Sequence, residues 1–188
     1  EVASVKKGMV NRFKSFWRKP REGIGEGDGT NLLPLYRSER IESKVLLLAD
    51  TYFVLQRYEE ALTYYKMARD DFRSDHAHLQ LSSTLIMVAV CTFHAEPGRM
   101  REVPNYLAQA EEACLNAEQD VIRTMQERKT SQMAGEYQLA LIRRFSVHLA
   151  FITSELLKMP ECGNRTYEAA QVLIQVAERQ PALVAACM

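Results

Sequence analysis

His76 and His78 stand two residues apart beside Asp70, Asp71 and Asp75, all residue types that hold divalent metals. Their spacing does not suit that task. Two apart on a helix, the imidazoles diverge by about 200°. A solvated helix start, with Asp75 near its positive end, fits the segment better. Glu111, Glu112, Glu118, Asp120 and Glu127 line one long segment with carboxylates. Acid–base chemistry needs such groups to converge in a concave site, and neighbours on one exposed helix do not. They read as a solvated face or a contact for a basic partner. His94 and His148 stand alone, and His148, among Phe145, Val147, Leu149 and Phe151, reads as a hydrogen-bonded packing residue. No serine, histidine and acid arrangement and no nucleophile elbow is present. The expectation is a noncatalytic chain with no catalytic residue, no metal and no cofactor.

Cys91, Cys114, Cys162 and Cys187 are scattered, form no C-x-x-C pair, and fall in or beside apolar helical patterns. Buried reduced thiols are expected. Asn164-Arg165-Thr166 matches a glycosylation sequon but reads as a helix start, capped by the Asn or the Thr.

The residues with the most suggestive spacing lie in the first nineteen. Wound as a helix, Val5, Met9, Phe13, Phe16 and Trp17 share one side, while Lys7, Arg12, Lys14, Arg18 and Lys19 occupy the remainder. Lys6 interrupts the apolar arc, but its stem can run along that surface. A basic face opposite an aromatic one suits an anionic membrane surface, or a groove on a protein. Nucleic acid is disfavoured, because no base-reading motif accompanies the charge. The chain carries 24 basic and 24 acidic residues, so this asymmetry is local. It is too charged for a signal peptide, and no window in the chain is expected to span a membrane. The absence of an initiator Met suggests a segment of a longer protein.

The elements that must carry these groups are helices. Pro20 ends the basic helix, and Gly23, Gly25, Gly27 and Gly29 make residues 20–35 a flexible tether. No strand precedes those glycines and no Gly-Lys-Ser/Thr follows, so they do not form a nucleotide loop. From residue 36 to 188 the period is helical, with helices expected at 38–55, 58–73, 75–94, 103–129, 132–158 and 165–179, and a last one from Pro181. The run Leu85–Cys91 is embedded without turn signals and reads as buried helix rather than strand. Ala49, Tyr52, Tyr58, Ala61, Tyr65 and Ala68 have the spacing of a tetratricopeptide hairpin, where small residues let paired helices approach. A fainter second copy uses Tyr167, Ala170, Ile174 and Ala177. The fold class expected is all-α: an irregular α-solenoid of helical hairpins, tetratricopeptide-like, behind an N-terminal basic amphipathic helix.

Several blocks carry a resemblance. Leu48-Ala49-Asp50-Thr51-Tyr52-Phe53, Tyr58-Glu59-Glu60-Ala61, Tyr64-Tyr65 and Ala68-Arg69-Asp70-Asp71-Phe72-Arg73-Ser74-Asp75-His76-Ala77 resemble the middle region of the subunit 8 family of the trafficking protein particle (TRAPP) complex. Ala89-Val90-Cys91-Thr92-Phe93, Pro97-Gly98, Pro104-Asn105-Tyr106-Leu107, Ser154-Glu155-Leu156-Leu157-Lys158 and Tyr167-Glu168-Ala169-Ala170 continue it. Phe13-Lys14-Ser15-Phe16-Trp17-Arg18-Lys19-Pro20 fits the family's basic stretch. The resemblance implies a noncatalytic scaffold subunit of a TRAPP III-like tethering complex, which promotes nucleotide exchange on a Rab1-type GTPase in ER-to-Golgi traffic and autophagy. It implies other subunits of that complex as partners, with the Rab1-type GTPase engaged through the assembly. It also implies a cytoplasmic location, peripheral on Golgi and ER–Golgi intermediate membranes. The alternative is a generic helical-repeat adaptor whose N-terminal helix docks on a protein.

Overall fold

Two turns of identical design set up the first three helices. Helix α1, Ile41–Val54, ends through Gln56, whose φ of 58° is left-handed. The Gln56 N–H donates to the Phe53 carbonyl and the Arg57 N–H to that of Tyr52. Helix α2, Tyr58–Ser74, ends the same way through His76, φ 54°, with His76 N–H donating to Arg73 and Ala77 N–H to Phe72. Both are Schellman closures, which satisfy the orphan carbonyls at a helix end. In the first, the Arg57 guanidinium lies 5.2 Å from the centre of the Tyr52 ring, where an apolar contact usually sits. Neither left-handed position is a glycine, so each carries Cβ strain. Gln56→Gly and His76→Gly are each expected to stabilise the fold by about 0.5–1 kcal/mol, read as a higher urea midpoint.

The computed structural model describes residues 40–127 and 131–180. Beyond α2 come α3, His78–Ala95; a 3-10 turn, Pro97–Glu102; α4, Val103–Gln126; α5, Gln132–Lys158; a second 3-10 turn, Pro160–Cys162; and α6, Thr166–Arg179. No strand occurs among the described residues, and Leu85–Cys91 is helix as anticipated. Each helix packs on the next in sequence, α1 on α2 through to α5 on α6. The result is an all-α multi-helix bundle, consistent with a helical-repeat, solenoid-like arrangement. The helix expected from Pro181, the basic helix at 1–19, the tether at 20–35 and residues 36–39 lie outside the described residues.

Small residues place the helices close together. Ala49, Ala61, Ala68, Ala77, Ala89 and Ala110 are fully buried in one continuous core, with Tyr65, Phe72, Leu85 and Leu107 filling the space between them. Buried Ser82 on α3 donates to the Ala110 carbonyl of α4 at 2.6 Å. At the far end of α4, a Cβ on Gly135 of α5 would stand 2.4 Å from the Met125 Cγ, so the Met125 side chain occupies the space that the glycine leaves.

Helix α3 passes the length and hydropathy test for a membrane span, contrary to the sequence expectation. Half of it is buried between α2 and α4, as suits the core helix of a bundle. Helix α6 corrects a second expectation. Tyr167, Ala170 and Ile174 are exposed, and Ala169 and Val176 are buried, with Val172 and Leu173 beside them on Val147, Ala150 and Phe151 of α5. Among the described residues α5 is the neighbour α6 packs on, and the face it accepts is rotated from the spacing of the supposed second repeat.

Candidate interaction surfaces

His78 opens α3, and its Nε2 lies 3.6 Å from the Asp120 carboxylate on α4. His76 is exposed, its ring 6.1 Å from that of His78. Asp75 does not start a helix, as the sequence suggests; it caps the end of α2, because residues 75–77 form the Schellman closure. Among the described residues no group of three or more His, Cys, Asp and Glu side chains is arranged to hold a metal. His94 stacks on Tyr58 at 4.6 Å and edge-on to Phe93, which ties the end of α3 to the start of α2. His148 is exposed rather than packed. On a helix its apolar neighbours in sequence turn to the other sides, and α5 buries Val147, Leu149 and Ala150 instead.

The acidic residues of α4 stay apart. Glu118 accepts from the Arg143 Nε of α5 at 2.8 Å, Asp120 sits beside His78 and Arg123, and Glu112 is exposed. Glu111 and Glu118 do border a crevice between α4, α5 and α6, together with Ser146, Arg179 and Gln180. Its free space of about 20 Å³ holds roughly one water and is far below what a small-molecule site needs. The Gln180 amide closes its rim by donating to the Ser146 hydroxyl at 3.0 Å.

A charged network secures the α3–α4 junction. Arg99 reaches Glu102 twice at 2.8 Å and Glu96 at 3.0 Å, and the Tyr106 hydroxyl donates to Glu102 at 2.9 Å. Hydrogen bonding from Arg99 holds the Glu102 carboxyl below its ordinary range. Burial lowers the Lys66 ammonium, which lies 3.7 Å from Glu96. These groups pair among themselves at the surface.

Cys91, Cys114 and Cys162 are free and buried, as expected; Cys187 lies outside the described residues. Burial pushes the Cys91 and Cys114 thiols from 9.0 to about 12 and raises Cys162. A three-unit rise lowers the thiolate population at neutral pH on the order of a thousandfold. Localised mass-spectrometric thiol labelling is therefore expected to leave all three unmodified in the native chain and to modify them in denaturant.

Broad apolar surface remains open among the described residues, as helix pairs that cannot bury their apolar faces alone would leave it. Helix α1 exposes Leu47, Leu48 and Val54, and Leu55 just past its end is exposed too; α5 exposes Met133, Tyr137 and Leu141; α6 exposes Tyr167 and Ile174. The only cue in the sequence was the excess of Leu and Val on α1 beyond what one buried face uses. Exposed apolar residues gathered along one side of a helix, as on α1, suit a contact surface. The ten residues singled out for a membrane, Val5, Met9, Phe13, Phe16, Trp17, Lys7, Arg12, Lys14, Arg18 and Lys19, lie outside the described residues.

Comparison with known proteins adds to this picture. The family model for TRAPPC-Trs85, the ER-Golgi trafficking TRAPP I complex 85 kDa subunit, matches residues 1–161, taking in the basic segment, the tether and α1 to α5. Human trafficking protein particle complex subunit 8 is 35% identical over 85 residues, or 45% of this chain. That match spans 6% of the human protein's length. No solved structure matches. Placement among the subunits of a trafficking complex accords with a noncatalytic role. The chain belongs to the TRAPPC-Trs85 family of ER–Golgi trafficking complex subunits.

Proposed function

We propose that the chain is a noncatalytic scaffold and membrane-recruitment segment of a TRAPP III-like tethering complex, one that promotes nucleotide exchange on a Rab1-type GTPase in ER-to-Golgi traffic and autophagy. The observation that supports this reading is the family match, whose bounds, residues 1–161, take in the basic segment and α1 to α5. In this role the helices form part of a tetratricopeptide-like array, and the open apolar faces of α5 and α6 meet neighbouring helices or other subunits. Val5, Met9, Phe13, Phe16 and Trp17 insert into the bilayer, and Lys7, Arg12, Lys14, Arg18 and Lys19 meet anionic headgroups. The chain then works in the cytoplasm, peripheral on Golgi and ER–Golgi intermediate membranes. Exchange chemistry belongs to other subunits.

Flotation with anionic liposomes tests the membrane part. The wild-type chain is expected to float and the Phe13→Asp, Trp17→Asp double variant to remain at the bottom of the gradient. Equal behaviour of the two, floating or not, removes the membrane role and leaves the adaptor whose N-terminal helix docks on protein.

A further inference from the structure

Helix α1 is apolar on both sides. Its inner side sets Val45, Ala49, Tyr52 and Phe53 into the core. On its outer side Leu47 is 66% exposed, Leu48 39%, Val54 78% and Leu55 62%. Positions 47, 48, 51, 54 and 55 follow one helical stripe, and the Thr51 hydroxyl within it is turned back onto the Leu47 carbonyl at 2.8 Å. A helix with two apolar sides is one with neighbours on both. Helix α2 supplies the inner neighbour.

We propose that the outer neighbour is the chain just upstream, Leu32-Leu33-Pro34-Leu35-Tyr36, lying as an extended strap across the stripe. Four of these five residues are large and apolar, whereas 22–29 alternate glycine with Glu22, Ile24, Glu26 and Asp28. A proline disfavours helical backbone at the residue before it, so Pro34 suits a strand-like strap better than a packed helix. Reach decides the rest. At 1.5 Å per residue, Leu48 lies about 10 Å and Leu55 about 21 Å along α1 from Ile41. An extended chain covers about 16 Å between Tyr36 and Ile41 and about 30 Å from Leu32, so every residue of the stripe is within range. Such a short connection gives the strap an effective concentration in the millimolar range, ahead of any separate molecule. The basic N-terminal helix is the weaker occupant, because exposed Lys44 stands on the stripe itself and repels it.

This inference does not depend on what the basic segment binds.

Thiol labelling in the complete 188-residue chain tests it, with the modified site located by mass spectrometry. Leu35→Cys is expected to label about tenfold more slowly than Ile24→Cys. Adding Leu47→Lys and Val54→Lys, both at exposed positions, is expected to bring the two rates together while helical circular dichroism stays unchanged. Slow chymotryptic cleavage at Tyr36, accelerated by the same two lysines, is the second expected result. Equal labelling of Leu35→Cys and Ile24→Cys in the otherwise native chain overturns the proposal. So does slow labelling that the lysines fail to relieve. A native dimer that the lysines dissociate, with Leu35→Cys labelling fast throughout, assigns the stripe to a second copy instead and also overturns it.

Discussion

Tyr65→Ala is expected to lower the stability of the helical bundle by about 3–5 kcal/mol, measured by urea denaturation. Tyr65 has no solvent exposure, sits among Ala49, Ala61 and Ala68 in the main core, and donates from its hydroxyl to the Asp50 Oδ1 at 2.6 Å. The alanines are what make the loss large. They cannot swing into the space a missing ring leaves, so the cavity persists. A loss of this size is a large share of the roughly 5–15 kcal/mol that holds a domain together.

Tyr65→Phe separates packing from hydrogen bonding. It keeps the ring and leaves Asp50, an exposed residue, to be rehydrated, so the expected cost is about 0.5–1.5 kcal/mol. Equal losses for the two variants would mean that the hydroxyl, not the ring, fixes α1 on α2. The phenol also predicts an alkaline limit. Burial, reinforced by the Asp50 carboxylate, pushes its pKa well above the usual value. The stability it contributes is complete below about pH 10, where an unfolded tyrosine is still neutral, and is lost as pH rises toward the folded value.

What the sequence disclosed follows from which forces were local. Helix α5 was legible to both ends, 132–158, because breaker residues and a continuous period bound it. The start of α3 was not. Asp75 and His76 carry the composition of a helix beginning, yet the chain uses them to close α2 through a left-handed histidine that no glycine announces. The inward face of α1 was legible from Ala49 and Tyr52, since small and aromatic residues at repeat spacing mean close approach. The rotation of α6 was not, since only its contact with α5 decides which of two apolar arcs is buried. His148 shows the same limit: apolar neighbours in sequence are not neighbours in space on a helix. The acids and histidines had no converging spacing in the sequence, and among the described residues no group of three or more of them is arranged to hold a metal. The outer stripe of α1 was visible as composition but had no partner to give it meaning.

Reversing charge on the basic segment is expected to weaken anionic membrane binding about a thousandfold. Each lysine or arginine near an anionic surface contributes about 1 kcal/mol. Lys14→Glu with Arg18→Glu removes two attractions and adds two repulsions of similar size, for a total of about 4 kcal/mol. Partition of the complete chain onto phosphatidylserine vesicles, followed by tryptophan fluorescence, reads the change, because Trp17 is the chain's single tryptophan. The expected salt response distinguishes the two halves of the mechanism. At 1 M salt the Debye length falls to about 3 Å, so wild type and the charge-reversed variant converge on a weak common affinity. The Phe13→Asp, Trp17→Asp variant, followed by flotation, stays unbound at every salt concentration, since screening does not restore lost apolar insertion. Unchanged partition after charge reversal would mean that the lysines and arginines face solvent or a protein, and that headgroup attraction does not recruit this segment.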